Sequence, residues 1–387
     1  MTSQNSRRDF IKSTGAGAAA FSFSGITGNN SFTANAMSAD NIPAQTAIPR
    51  WRGFNLLEYF QALDTGSRSS CMISEDECRW ISDWGFDFIR IPMDYWLWLD
   101  VDYKESRKIT PDDVYKIKES TLDTVDRTID LGKKYGLHVS LNFHRVPGYC
   151  INNAEREPFV LWSDKRAEDA FIYHWDIFAK RYGAVSADDL SFNLVNEAPS
   201  PREGYMSRPD YVRIMTRATN KIREYSPDRV IIVDGLNVGN VIIDELIPLG
   251  VVQSVHAYSP GRISHYRASW VDRDERFPAP SWPSIDGDSV WDRERLEKHY
   301  APWAELARKG VGVHCGECGC WNRTPHDVFI AWFGDVMDIL CGHGIGYSLW
   351  EFNGGFGIID SGRDDVDYED WYGHKLDRKM LTMLQKY

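Results

Sequence analysis

The chain has 387 residues, of which 43% are hydrophobic and 26% charged, and its formal net charge is -12. This composition excludes intrinsic disorder and collagen-like structure, because it supplies enough apolar residues for a large core. An acidic balance also disfavours contact with nucleic acid and with anionic membrane surfaces, so we expect neither as a partner.

The first residues have the pattern of an export signal. Residues 6–12 read Ser-Arg-Arg-Asp-Phe-Ile-Lys, a weakly apolar run follows to residue 28, and residues 34–36 form an Ala-Asn-Ala cleavage site. The paired arginines predict a twin-arginine signal peptide over residues 1–36, with a disordered basic tail as the alternative. We expect the translocation machinery as a partner during export and a periplasmic or extracellular product without a membrane span.

After a predicted linker over residues 37–49, short strand-like runs alternate with helical patterns through residues 50–387. The predicted strands cover residues 51–59, 86–92, 138–144, 190–196, 230–236, 251–258, 312–317 and 345–352. Several are apolar without alternation, as in residues 231–233, which is typical of parallel strands buried on both faces.

Helical spacing separates these strands. Phe171, Trp175, Phe178 and Tyr182 lie on one face of a predicted helix, and Gly183 is positioned to end it. Three further helices are predicted: one from a capping box at residues 74–77 to residue 84, one ending at residue 136, and one with the same stripe over residues 211–222. Eight strands, each followed by a helix, predict an α/β chain folded as a single-domain (β/α)8 barrel. A doubly wound dinucleotide-binding sheet is disfavoured because no G-x-G-x-x-G follows an early strand.

Active sites of such barrels lie at the carboxyl ends of the strands, and polar and aromatic residues are concentrated there in this chain. These strand-end residues are Asn55, Glu58, Arg90, Asn142, His144, Asn196, Glu197, His256, Tyr258, Glu317, Trp350 and Glu351. Glu197 and Glu317 follow the fourth and seventh strands, and paired carboxylates are what glycoside hydrolysis requires. Asn196 is placed to bind a sugar 2-hydroxyl, and Arg90 to keep Glu317 ionised by lowering its pKa.

Five segments in register strengthen this interpretation. Residues 88–92, 141–148, 192–197, 256–258 and 316–317 resemble the corresponding motifs of family 5 glycoside hydrolases, the cellulase group. The resemblance extends from about residue 50 to residue 355 and preserves the family's order of motifs.

The resemblance implies a retaining hydrolase of β-glycosidic bonds, with Glu197 as acid/base and Glu317 as nucleophile. It places Arg90, His144, Asn196, His256 and Tyr258 in the surrounding polar shell, and Trp350 under the sugar at the cleavage point. No metal or cofactor is required, and the two carboxyl groups are expected about 5–5.5 Å apart.

The substrate expected from this resemblance is β-1,4-glucan, cleaved as by an endoglucanase in a double displacement. A β-mannanase or β-mannosidase on the same machinery is the alternative, because glucose and mannose differ only at the 2-hydroxyl. A catalytically silent carbohydrate-binding barrel is disfavoured by the presence of both glutamates. A metal-dependent barrel hydrolase is disfavoured because the sequence lacks the expected His-x-His pair. The evidence for a phosphate-binding barrel is limited to the glycine-rich residues 354–357.

Some features have two interpretations. Cys315, Cys318 and Cys320 form a C-x-x-C-x-C pattern, for which buried structural thiols are favoured over a metal site. Glu351 either binds a substrate hydroxyl or faces solvent. The aromatic residues at 95–98 and in the connection over residues 259–289 either stack on sugars or pack their own loops.

Overall fold

The computed structural model describes residues 47–64, 66–286 and 289–387. The predicted signal peptide and most of the predicted linker therefore lie outside the described residues. Each predicted strand overlaps an observed one: β1 Arg52–Asn55, β2 Phe88–Asp94, β3 His138–Val146, β4 Leu190–Asn193, β5 Val230–Asp234, β6 Val252–Ala257, β7 Val313–Cys318 and β8 Gly346–Leu349.

These strands form a closed barrel. Each pairs in parallel with the next along the chain, and β8 pairs with β1. A two-residue strand at Tyr149–Cys150 extends the end of β3 as an antiparallel hairpin. The predicted single-domain (β/α)8 barrel is confirmed. Among the described residues, no helix is both long enough and apolar enough to cross a bilayer.

Seven helices of seven or more residues are described around the barrel. They are α1 Glu75–Asp83, α2 Glu119–Tyr135, α3 Lys165–Tyr182, α4 Arg208–Arg223, α5 Arg293–Arg308, α6 His326–Gly342 and α7 Arg378–Leu384. The side chain of Ser74 caps α1 by accepting the N–H of Glu77, and α2 ends at Gly136 in the left-handed conformation. The aromatic stripe of α3 is buried, as its spacing predicts.

The connection after β5 differs from the predicted alternation. It holds only a four-residue helix, Leu236–Gly239, and a 3-10 helix, Asp244–Leu249. Pro248 lies within the second segment and Gly250 follows it in a left-handed conformation, so a longer helix is stopped.

Shorter elements lie in the connections between these strands and helices. They are the helices Tyr103–Ser106 and Gly261–Ser264, the 3-10 helices Ser67–Ser69, Tyr95–Trp98, Asp113–Tyr115, Ala154–Arg156 and Arg273–Glu275, and the hairpins Ser284–Asp286 with Ser289–Trp291 and Glu369–Trp371 with His374–Leu376. Every residue of β2, β3, β6 and β7 is buried, since helices cover the outside of the barrel and side chains fill its interior.

Candidate active site

Glu197 is held at the mouth of the barrel by its backbone. Its φ of 48° lies in the left-handed region. Its N–H donates to Asp234 Oδ2 at 3.0 Å, and its carbonyl accepts the Tyr149 hydroxyl at 2.6 Å. These two bonds fix the direction in which the side chain leaves the chain. The side chain keeps 16% of its surface exposed, so it remains accessible from the mouth.

Glu317 lies opposite, on β7, where the register against β6 shifts between Cys315 and Glu317. Its carboxylate accepts Arg90 Nη1 at Oε1 at 2.9 Å and the Tyr258 hydroxyl at Oε2 at 3.0 Å. One carboxylate oxygen of Glu317 and one of Glu197 lie within 4.8 Å of each other. The fold therefore brings the two predicted carboxylates together over a single point.

Arg90 is the buried cation of the site. Its guanidinium donates to the side-chain oxygens of Asn55, Asn193 and Asn196 at 2.9, 3.0 and 2.8 Å, besides Glu317. All three of its nitrogens are used, so the planar group has a fixed orientation.

The protonation of Glu317 is set by opposing effects. Burial raises the pKa of Glu317 to about 7, although the charges of His256 and Arg90 lower that pKa and the charge of Glu197 raises it further. The predicted contact with Arg90 is present, but desolvation outweighs its effect on the pKa.

Asp234, at the end of β5, is a buried member of the site that the sequence reasoning missed. Besides the Glu197 N–H, it accepts the amide nitrogen of Asn193 at 3.0 Å and lies 3.2 Å from His256 Nε2. Nδ1 of His256 lies 3.0 Å from Glu197 Oε1. One signal was present in the sequence, because an acidic residue ending an otherwise apolar buried strand needs a partner.

The charges of Asp234 and His256 support each other. Burial alone would raise the pKa of Asp234, but the charge and hydrogen bond of His256 and the charge of Arg90 lower it. Burial alone would lower the pKa of His256, yet Glu317 and Asp234 hold that pKa well above its ordinary value. His256 is therefore a charged imidazolium placed between three carboxylates.

Polar atoms without a protein partner point into the mouth. Both ring nitrogens of His144 and the amide nitrogen of Asn196 are buried and unpaired among the described residues. Burial, followed by the charge of Arg90, lowers the pKa of His144 well below its ordinary value, so this ring is neutral. The ring stacks on Trp350 with centroids 5.5 Å apart and an interplanar angle of 26°. Buried polar groups of this kind are normally hydrogen-bonded, so these atoms have capacity to bind water or a ligand.

Glu351 does not face solvent, contrary to one expectation, because its side chain is 2% exposed. Its carboxylate pairs with Arg68 at 3.0 Å and accepts the N–H groups of Phe356 and Gly355. A Cβ on Gly354 would lie 2.6 Å from Glu351 Oε1, so the glycine permits this close approach. The glycine-rich segment therefore binds an internal carboxylate, and those N–H groups are not available to a phosphate.

The thiols in the C-x-x-C-x-C pattern are buried. Cys315, Cys318 and Cys320 donate to three different backbone carbonyls at 3.2, 3.5 and 3.3 Å. Burial raises the pKa of Cys320 to about 11, so this thiol stays protonated. All seven cysteines of the chain are free. The burial of all three thiols is as expected for structural cysteines.

Within the described ranges, one set of side chains has the spacing of metal ligands, namely Glu197, His256 and Glu317. The guanidinium of Arg90 already forms an ion pair with the Glu317 carboxylate at 2.9 Å, and His256 is itself positively charged. Two fixed cations at this point oppose the binding of a third.

The predicted aromatic platforms differ in exposure. Tyr95, Trp96 and Trp98 are at most 1% exposed, so they pack the loop after β2 rather than meet a sugar. Trp282 donates to Asp335 on α6 at 2.8 Å, away from the mouth. Trp270 is 45% exposed and meets Trp321 edge to face, with centroids 4.8 Å apart. Trp270 therefore remains available for stacking.

The chain is similar in sequence and fold to known glycoside hydrolases. The chain is 24% identical over 302 residues to Cellodextrinase A of Ruminococcus flavefaciens, covering 76% of this chain and 83% of that protein. It is 26% identical over 326 residues to Endoglucanase C of Acetivibrio thermocellus, covering 77% and 89%.

A crystal structure described as a glycoside hydrolase is 37% identical, with a TM-score of 0.80 and coverage of 87% of this chain and 99% of that one. A hyperthermophilic endo-β-1,4-glucanase with bound substrate shares the fold at 21% identity and a TM-score of 0.65, covering 90% and 99%. The sequence model of the family described as Cellulase (glycosyl hydrolase family 5) matches residues 44–355. The chain belongs to this family of glycosyl hydrolases.

Proposed function

We propose that the protein is a retaining β-glycanase that cleaves β-1,4-glucan, with Glu317 as nucleophile and Glu197 as acid/base. The observation that carries this proposal is the approach of the two carboxylates to within 4.8 Å. Retaining glycosidases place their carboxyl groups about 5–5.5 Å apart, whereas inverting enzymes leave about 6.5–9.5 Å for an intervening water.

In the first step, the Glu317 carboxylate attacks the anomeric carbon while Glu197 gives its proton to the departing glycosidic oxygen. The C–O bond to the leaving sugar breaks as the ester bond to Glu317 forms. In the second step, Glu197 takes a proton from water, which attacks the same carbon and releases Glu317. Two inversions at one carbon leave the anomeric configuration unchanged.

The starting state requires one proton on the pair. Burial raises the pKa of Glu317 to about 7, so Glu317 loses its proton near neutral pH. Arg90 and Tyr258 both donate to Glu317, so an ionised Glu317 keeps both bonds. Glu197 is the more exposed of the two carboxyl groups and is the proposed proton donor.

The remaining polar shell suits a sugar ring. The free amide nitrogen of Asn196 supports a role at the 2-hydroxyl, where a hydrogen bond strengthens in the transition state. The stacked pair of Trp350 and His144 supplies an apolar face beside two unpaired ring nitrogens. Such a surface suits a pyranose, which has apolar faces and hydroxyls at its rim.

The names of the two bacterial relatives, a cellodextrinase and an endoglucanase, support β-1,4-glucan as the substrate. We also propose that residues 1–36 direct twin-arginine export to the periplasm or the outside of the cell. The arginine pair and the small-residue cleavage site support this proposal.

The test is product analysis with the purified mature protein on cello-oligosaccharides, mixed-linkage glucan, xyloglucan and mannan. Glu317→Gln should lower kcat/KM by at least about a thousandfold, because it removes the nucleophile with little change in volume. Glu224→Gln is the matched control, since this exposed residue caps the C-terminus of α4 at the opposite end of the barrel.

NMR of the earliest product should show the β-anomer. Release of the α-anomer first would contradict the retaining mechanism, and a preference for mannan would replace glucan by the alternative substrate. A folded protein that binds these sugars and cleaves none would instead support the silent binding barrel.

A further inference from the structure

A cavity of about 250 Å³ adjoins the proposed active site. His144 and Phe60 form its boundary with the site, and Phe60 contacts Trp350 edge to face with centroids 5.2 Å apart. The rest of the lining includes three arginines, Arg107, Arg145 and Arg156. A substituent on a sugar bound at Trp350, or on the adjacent sugar of the same chain, would therefore lie near this cavity.

One of the three arginines is neutralised within the protein. Arg145 Nε lies 3.3 Å from Asp94 Oδ2, its Nη1 donates to Glu157 Oε1 at 2.7 Å, and its Nη2 donates to the carbonyl of Asn152 at 3.0 Å. Arg145 is buried and has a structural partner for each nitrogen. It holds the wall of the cavity together and is not the residue that awaits a ligand.

The two acids that bind Arg145 also accept other donors. Asp94 accepts two backbone N–H groups, both at 3.0 Å. The second oxygen of Glu157 accepts the Tyr95 hydroxyl at 2.7 Å and a backbone N–H at 3.0 Å. Both carboxylates are therefore held within the wall of the cavity.

Arg107 and Arg156 form no ion pair with a carboxylate among the described residues. Arg107 is exposed and Arg156 is half-buried. Burial lowers the pKa of Arg156, and the charges of Arg107 and Arg145 lower it further, whereas the charges of Glu155 and Asp94 raise it. The lining thus holds three arginines against two acids, Asp64 and Asp94, an excess of positive charge in a chain of net charge -12.

We propose that this cavity binds an anionic substituent of the substrate, a carboxylate or a sulfate ester on a sugar close to the cleavage point, through Arg107 and Arg156. The inference rests on the proposed function, because it adds a group to the same polysaccharide. Guanidinium groups bind planar or tetrahedral oxyanions through paired N–H donors, whereas a neutral sugar offers no charge to pair with them.

The experiment compares three oligosaccharides of equal length: a neutral β-1,4-glucan, one bearing a C6 carboxylate, and one bearing a C6 sulfate. The full-length protein and the double variant Arg107→Gln, Arg156→Gln are assayed for kcat/KM on each. Arg127→Gln, an exposed position on the outer helix α2, is the control for a change in net charge. Arg145 is left unchanged because its removal would leave two buried carboxylates unpaired.

We expect a higher kcat/KM on one of the charged substrates than on the neutral one. In the double variant, kcat/KM on that charged substrate should fall by on the order of tenfold for each guanidinium removed. On the neutral substrate, kcat/KM should change by less than about twofold. The charged substrate that shows the larger loss identifies the substituent.

An equal loss on all three substrates, or no preference in the unchanged protein, would overturn the inference and leave the proposed function standing. If no substrate is cleaved, the proposed function fails and calorimetric binding of the charged oligosaccharides decides. Binding that the double variant abolishes supports the anionic subsite, and binding that the variant retains overturns it.

Discussion

Asp234→Asn tests whether the buried acid at the end of β5 positions the catalytic pair. The substitution keeps the volume and one acceptor oxygen but removes the negative charge. Asp234 accepts the Glu197 N–H and the Asn193 amide, both at 3.0 Å, and lies 3.2 Å from the charged ring of His256. In the variant, the new amide group faces donors, and His256 loses its nearest buried anion.

The size of the effect follows from these contacts. Breaking a buried charged pair costs about 3–5 kcal/mol, and we expect the lower end because asparagine retains one hydrogen bond. At an effective dielectric of about 20, two unit charges 3.2 Å apart attract by roughly 5 kcal/mol, of which desolvation offsets a part. Because Asp234 also anchors the backbone of Glu197, kcat/KM should fall on the order of a hundredfold.

Urea unfolding and steady-state kinetics measure the two effects, and NMR titration of the histidines supplies a third readout. The pKa of His256 should fall, since Asp234 contributes to its rise. Asp244→Asn, an exposed acid later on the same connection, should change stability by less than about 0.5 kcal/mol. A variant of Asp234 with unchanged kcat/KM and an unchanged His256 titration would refute this reasoning.

Three further predictions concern single residues. First, kcat/KM should rise with pH up to about 7, because burial raises the pKa of Glu317 to about 7 and the nucleophile must be ionised. Glu197→Gln should keep this limb with an activated aryl glycoside, and a rate that stays constant through pH 7 would contradict the role of Glu317. Second, Trp350→Ala should raise KM about tenfold to a hundredfold, because it removes the apolar face on which the sugar ring is proposed to stack. An unchanged KM would place the sugar elsewhere. Third, burial and then the charge of Glu77 raise the pKa of Glu58 to about 8, above its ordinary value, so the folded state binds the extra proton. The free energy of unfolding should therefore decrease as the pH rises from about 5 to about 8.5. The decrease should be smaller in Glu58→Gln, and urea unfolding midpoints measured across this pH range would test it.

Local patterns determined most of the fold. The buried apolar strands, the helical stripe of residues 171–182 and the caps at Ser74 and Gly136 all depend on neighbours within a few turns of chain. Parallel closure then places every strand end at one rim, so polar residues at those positions were recognisable without coordinates. The predicted site residues lie together there, although their chemical roles remain predictions.

Tertiary structure alone decided which charges are neutralised. The sequence placed Glu351 at the rim, but its carboxylate is buried in an ion pair with Arg68, which lies 283 positions away in sequence. Asp234 is bound by groups from β4 and β6, and the effect of burial on Glu317 exceeds that of Arg90. Arg145 is satisfied by two buried acids while Arg107 and Arg156 are not. Periodicity reports which face of an element is buried. The partner of a buried charge depends on segments that meet only when the barrel closes, and that partner sets the pKa, the accessibility and the ligand preference of the site.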